Sequence, residues 1–436
     1  MKAGSGQGRT PLREALETVA AGGRLRLHTP GHAGHGPRGP WPDPYWDLTE
    51  VGPVPAALEA SQAAAATAYG TRATWFSAQG ATLPVQAAVL GAFAGSARPV
   101  WVDRASHRAV AAALLLGGIP VRWRQPRLGP GGVPLPAADP PPPGVAGAVL
   151  TRPTYDGLLT AQDLPDGGPV VADEAHGAHW YCRPGYPASA LELGADLVIH
   201  GSHKTEAAPT GTALLHLAGG RVEPAAVRFW WETLASSSPS YPLLAGLEAM
   251  VAARFRPPAA AAWAALAAGA RELRDRLAAR GWVVLQRWWE ERGGLSDPAR
   301  LTLLGRGAAA LVRAAGLEPE KETPASVTLI LTPHLRLEWV AQRLLALPVP
   351  EPPPLEERPW PLPAAALPMR EALTRGGEWV ELAAAPGRVS RGWVIPYPPG
   401  IPLILPGERW DAEVVAAVRE AGTAEGLEEG RVWVLR

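Results

Sequence analysis

The strongest constraint on this chain is a succession of strand-length apolar runs that alternate with helix-like stretches and end in polar or turn-forming residues. Pro99-Val100-Trp101-Val102-Asp103 precedes a helical pattern over Ser106–Leu116, and Val145–Leu150 precedes the turn Pro153-Thr154-Tyr155. Pro169–Ala172 leads into Asp173, Leu197-Val198-Ile199 leads into His200–Thr205, and Thr212–His216 follows as a neighbouring strand. This order predicts an α/β fold with a mainly parallel sheet. One antiparallel strand fits within the set, and spacing does not say which. Ligands in such sheets gather beyond the carboxyl ends of the strands, where these polar residues lie.

At 436 residues the chain exceeds one ordinary core. The expected division is an N-terminal arm over 1–24, a major domain over 25–250, a smaller α/β region over 251–347 and a C-terminal unit over 348–436. The pattern is helical from about Gly246 through Arg280, and strand candidates return at Trp282–Leu285 and Val327–Leu331. The Pro-rich tract Pro348–Pro368 reads as an extended connector. A formal net charge of zero argues against binding nucleic acid by phosphate neutralisation. No apolar run reaches membrane-spanning length, and Met1–Thr10 lacks the apolar segment of a signal peptide. The single cysteine, Cys182, excludes an intrachain disulfide, fits a reducing compartment and reads as inert core. The expected location is cytoplasmic.

Three segments carry chemistry. Gln79-Gly80-Ala81-Thr82-Leu83-Pro84 opens a helix over Val85–Ala94, and free N–H groups at such a start can bind phosphate, with Thr82 adding a hydroxyl. Asp173-Glu174-Ala175-His176-Gly177-Ala178-His179 follows a strand. A shielded carboxylate there can keep a heteroaromatic nitrogen protonated. Metal ligation by Asp173, His176 and His179 is the competing reading, although no His-Glu-x-x-His run supports zinc. The third segment is His200-Gly201-Ser202-His203-Lys204-Thr205. Of 41 basic residues only Lys2, Lys204 and Lys321 are lysine. Lysine, unlike arginine, can lose its proton and attack a carbonyl, so a lysine retained at a strand end points to an imine; a surface lysine is the plainer alternative. One strand–helix–strand excursion would bring Asp173 and Lys204 to adjacent strand ends. Phosphate cup, ring-nitrogen carboxylate and imine lysine, in that order, are the anchors pyridoxal 5'-phosphate needs.

The chain resembles the ornithine/lysine/arginine decarboxylase family of fold-type I pyridoxal-phosphate enzymes, in the short bacterial form without an N-terminal wing domain. The resemblance rests on His28-Thr29-Pro30-Gly31-His32, Asp47-Leu48-Thr49-Glu50, Ala68-Tyr69-Gly70-Thr71, the Gly80 loop and Ser106-His107-Arg108. It continues through Pro153-Thr154-Tyr155, Asp173–His179, His203-Lys204-Thr205, Ser238-Pro239-Ser240-Tyr241 and Tyr397–Leu403. It implies that Lys204 forms the imine with the cofactor, Asp173 pairs with the pyridine nitrogen, His107 stacks on the ring and His176 supports it. It further implies that Gly80, Ala81 and Thr82 hold the phosphate, with Ser202 and His203 near the phosphate or the reacting carbon. His203 is the candidate acid for protonating the carbanion. The implied reaction is decarboxylation of arginine, lysine or ornithine, and the implied assembly is at least a homodimer.

The chain departs from the family pattern at Ala33, Gln79-Gly80-Ala81, Arg108-Ala109, Tyr155-Asp156-Gly157, Gly201 and Val51–Ala56. Another pyridoxal-phosphate reaction on the same scaffold, or a non-catalytic paralogue, stays open at this point. Tyr155 reads equally as a turn cap, and Tyr397 as a structural residue near a substrate entrance.

Overall fold

The computed structural model describes residues 9–21, 53–161 and 164–436. The segments His28–His32 and Asp47–Glu50, with Ala33, His35, Val51 and Gly52, lie outside the described residues.

Seven strands form one sheet in the order Ala73–Ser77, Ala213–Leu217, Leu197–His200, Val170–Asp173, Ala148–Thr151, Val100–Asp103 and Val121–Arg124. Leu197–His200 and the strands after it in this order run parallel, whereas Ala213–Leu217 is antiparallel to both its neighbours. That is the reversed strand the spacing left open. Side chains alternate between faces with period two. Val149, Val171, Leu197 and Ile199 meet the helices Thr82–Phe93, Arg108–Gly117 and Pro224–Leu234, while Ala148, Leu150, Val170, Ala172 and Val198 face Ala190 and Ala195. The helix Thr82–Phe93 approaches Pro224–Leu234 closely at Gly91, where a Cβ would meet Val227 Cα at 2.9 Å.

Several expectations change. Ala73–Ser77 and Val121–Arg124 were not anticipated; both are edge strands with polar residues in their runs, Arg122 exposed and Thr74 buried with its hydroxyl 2.9 Å from His216 Nδ1. The excursion from Asp173 to Leu197 contains turns and no helix. The Gly246–Arg280 pattern is two helices, Tyr241–Arg254 and Pro257–Ala279, broken where Pro257 can only begin a helix. Within Trp282–Leu285 only Val283–Val284 is strand, and Leu285 starts the helix Leu285–Glu290. Cys182 is exposed with φ 56°, not core.

A second sheet, antiparallel throughout, runs Val283–Val284, Arg300–Leu304, Ser326–Ile330, Lys321–Thr323. Helices Pro257–Ala279 and Leu337–Leu345 cover it, the first burying Trp263, Leu266, Ala270, Leu273 and Leu277 at helical spacing. The C-terminal region pairs Gly377–Glu381 with Arg431–Leu435 around the helix Ala412–Ala421. The Pro-rich tract is packed rather than free. Arg358–Pro359 pairs with Arg127–Leu128, and Trp360 joins Leu128 and Ile401 in a small cluster. Ile401 of that cluster directly follows the Tyr397–Gly400 turn, whose Gly400 carbonyl accepts from Arg108 N. Among the described residues no helix is long and apolar enough to cross a membrane.

Candidate active site

Strand register assembles the site. Asp173 pairs with Ile199, so Asp173 and the His200–Thr205 segment leave adjacent parallel strands at the same end. Ser77 pairs with Ala213 across the reversed strand, which brings the Gly80 turn beside that end. Ser77 Oγ donates to the Gly80 carbonyl at 2.8 Å and accepts from Gln79 N at 3.0 Å, and Gly80 N donates to the Gly211 carbonyl at 2.6 Å. Gly80 has φ +64°, the left-handed conformation glycine adopts without strain, and the helix starts at Thr82 with Ala81 capping it. Thr82 is exposed and Ala81 half-buried.

Lys204 lies in a one-turn helix, Ser202–Thr205, directly after the Leu197–His200 strand. Its Nζ is 2.9 Å from His176 Nε2, and Arg300 Nη2 is 2.8 Å from His176 Nδ1. Burial lowers the Lys204 pKa, Asp173 opposes that, and Arg300 reinforces it. The His176 pKa falls well below the usual histidine range through burial first, then the charges of Lys204 and Arg300. Asp173 is buried and accepts from Ala175 N at 3.1 Å. Burial raises its pKa, with Lys204 pulling the other way. Among the described residues no cation stands within ion-pair distance of it, an expensive arrangement unless a ligand supplies the positive charge.

His107 precedes the helix Arg108–Gly117 and accepts from Ala109 N through Nδ1 at 3.2 Å. Burial, with the charges of Lys204 and Arg108, lowers its pKa to about 4. The C-terminal turn closes over it: Arg108 N donates to the Gly400 carbonyl at 2.9 Å. His203 Nδ1 donates to the Thr212 carbonyl at 2.8 Å, which leaves Nε2 to exchange a proton. Ser202 Oγ is buried with no partner among the described residues, an orphan that a ligand oxygen would satisfy.

His176 and His179 part company, since their segment is a series of turns and not a helix. His179 turns inward to Asp297 at 3.1 Å and stacks on Trp263 with centroids 4.6 Å apart. Among the described residues no cluster of three His, Cys, Asp or Glu could hold a metal. Tyr155 does more than cap a turn: its ring lies 4.6 Å from that of His176, and its hydroxyl donates to Glu320 at 2.6 Å.

Arg300 and Glu320 were missed because both come from the second sheet, more than a hundred positions from the segments they face. A usable signal did exist. The scarcity that singles out Lys204 applies equally to Lys321, which is buried and paired with Asp156, itself held by Thr328 Oγ1 at 2.6 Å.

The chain is similar to known proteins. The family model for the Orn/Lys/Arg decarboxylase major domain matches residues 53–291, and that for the C-terminal domain matches residues 358–420. An arginine decarboxylase of Bacillus subtilis (strain 168) is 26% identical over 456 residues, covering 92% of this chain and 91% of that protein. An uncharacterized protein of the same organism, YaaO, is 28% identical over 400 residues, covering 82% and 80%. The solved structure of the E.coli constitutive lysine decarboxylase superposes with a TM-score of 0.78 at 19% identity, covering 98% of this chain and 82% of that one, a likeness of fold. The chain belongs to the Orn/Lys/Arg decarboxylase family.

Proposed function

We propose that this protein binds pyridoxal 5'-phosphate and decarboxylates a basic amino acid, working as a homodimer or larger homo-oligomer. One observation carries the reading: Lys204 and the unpaired, buried Asp173 stand at the same end of adjacent parallel strands and feel each other's charge. Lys204 would hold the cofactor's carbonyl carbon, and Asp173 would keep the ring nitrogen protonated. Gly80, Ala81, Thr82 and Ser202 would hold the phosphate. When bound, the cofactor supplies an electron sink for the pair left behind as carbon dioxide departs.

The protein's part is placement and proton control. A neutral His107 would cover the ring without opposing its positive charge, with the Gly400 turn packed beside that histidine. His176 supports the ring near Asp173. His203 Nε2 would deliver a proton to the substrate carbon, with Nδ1 fixed by Thr212. Glu320 is the other carboxylate whose charge reaches Lys204, and it would read the distal cation of arginine, lysine or ornithine. The test is cofactor addition followed by carbon dioxide release from each of these three amino acids. A visible absorbance band lost in Lys204→Ala, with an amine as product, supports the reading. A colourless protein, or a keto acid in place of an amine, defeats it.

A further inference from the structure

Arg300 and Lys204 grip opposite nitrogens of one imidazole ring. Arg300 Nη2 is 2.8 Å from His176 Nδ1, and Lys204 Nζ is 2.9 Å from His176 Nε2. A guanidinium has donors only and stays protonated in proteins, so Nδ1 must accept. That rules out a doubly protonated ring. A neutral imidazole carries one N–H, and with Nδ1 accepting it sits on Nε2. Nε2 then donates, and the lysine nitrogen facing it can accept only through a free lone pair.

We propose that Arg300 is a positioning residue which, through the tautomer of His176, holds Lys204 as the unprotonated amine. This rests on the reading of Lys204 as the cofactor lysine. The charged and titratable groups facing the pair are Asp173 from the adjacent strand, Arg300 from the second sheet, Glu320 just before one of its strands, Tyr155 from the turn after Ala148–Thr151, His107 from its helix start, and His203 beside the lysine. Asp173 and Glu320 favour the ammonium form, burial and Arg300 oppose them, and the net shift of the lysine pKa is downward. Arg300 is fully buried, and among the described residues its Nε and Nη1 have no partner and it makes no salt bridge of which the His176 contact could be a by-product.

An ordinary lysine is unprotonated in roughly one molecule in a few thousand at pH 7. Only that form reacts. Its lone pair adds to the aldehyde carbon, the carbonyl oxygen leaves as water with both amine hydrogens, and a C=N bond replaces C=O. Holding the free amine removes the wait for deprotonation.

The test follows cofactor capture by apoprotein, using absorbance and borohydride trapping of pyridoxal 5'-phosphate on Lys204 from about pH 6 to about pH 9. Wild-type capture should vary by less than about threefold over that range. In Arg300→Met it should fall about tenfold per unit as pH drops, the behaviour of an ordinary lysine. Arg300→Lys, which keeps a charged donor, should restore most of the flat profile. A purely structural role would lower all rates without steepening the profile, and that overturns the proposal. A second measurement needs no Arg300 variant to fold: 15N spectra of histidine-labelled apoprotein, with His176 assigned through His176→Asn. Hydrogen on Nε2 supports the proposal and hydrogen on Nδ1 overturns it. Absence of trapped cofactor in wild type at every pH would defeat the functional reading instead, leaving the tautomer result to stand by itself.

Discussion

Gly400→Ala tests whether the C-terminal turn holds His107 in place. Gly400 has φ +81°, and a Cβ there would meet His107 Cδ2 at 2.9 Å and Nε2 at 3.1 Å. Two costs follow, and they can be separated. The left-handed backbone costs an alanine about 1 to 2 kcal/mol of stability. The contact forces the imidazole aside, since a Cβ under 3.0 Å from a ring atom has nowhere else to go. If His107 lies on the cofactor ring, losing that packing removes about 0.5 to 1.5 kcal/mol, or roughly 2- to 12-fold in cofactor affinity. Gly387→Ala is the control: it lies in the same C-terminal region, has φ +85°, and its Cβ would meet nothing within 4 Å. Both variants should lose similar stability in denaturant. Cofactor titration by absorbance should show weakened binding in Gly400→Ala alone. Equal affinity in the two variants would refute the placement of His107 over the ring.

Glu320→Gln should cut kcat/KM for the preferred basic amino acid by about 10- to 100-fold, the worth of one well-placed ion pair. Cofactor affinity should be unchanged, and equal losses for a neutral straight-chain amino acid would remove Glu320 from the substrate pocket. The folded histidines His176 and His216 sit well below the usual range, and His107 at about 4, burial being the largest cause in each. As pH falls below about 6.5 the unfolded chain takes up protons that these groups refuse, so stability is full above that pH. It then drops by up to about 1.4 kcal/mol per unit per histidine toward pH 4. The raised carboxylates Asp103, Asp173 and Glu408 act in the opposite sense. The quantity to read is therefore the difference between wild type and His216→Asn in denaturant at about pH 7 and pH 5, and parallel losses would contradict the assignment. Lys321→Met strands a buried Asp156 and should cost about 3 to 5 kcal/mol. Adding Asp156→Leu should recover most of that, and a mild single variant would show that the pair is not shielded from water.

What could be read in the sequence and what could not divide along a physical line. Asp173 and Lys204 were legible because each follows a buried strand, and neighbouring parallel strands deliver their next residues to one end of the sheet whatever lies between them. The missing helix in the crossover changed nothing at the site, since the register Asp173 to Ile199 depends on the strands. Arg300 and Glu320 obey no such local rule, because their positions depend on how a second sheet docks against the first. Tyr155-Asp156-Gly157 shows how far a stricter reading could have gone. Gly157 has φ +79° and packs against Arg300, so the turn that carries Tyr155 toward His176 is also the point where the two sheets touch. An aspartate in a tight, apolar turn needs a buried cation. Any arginine could have served as that cation, so the sequence does not single out Lys321 as its partner. The structure supplies the pairing of Asp156 with Lys321, which sets the second sheet's edge beside the site. The neighbouring Glu320 comes with it and accepts from the Tyr155 hydroxyl at 2.6 Å.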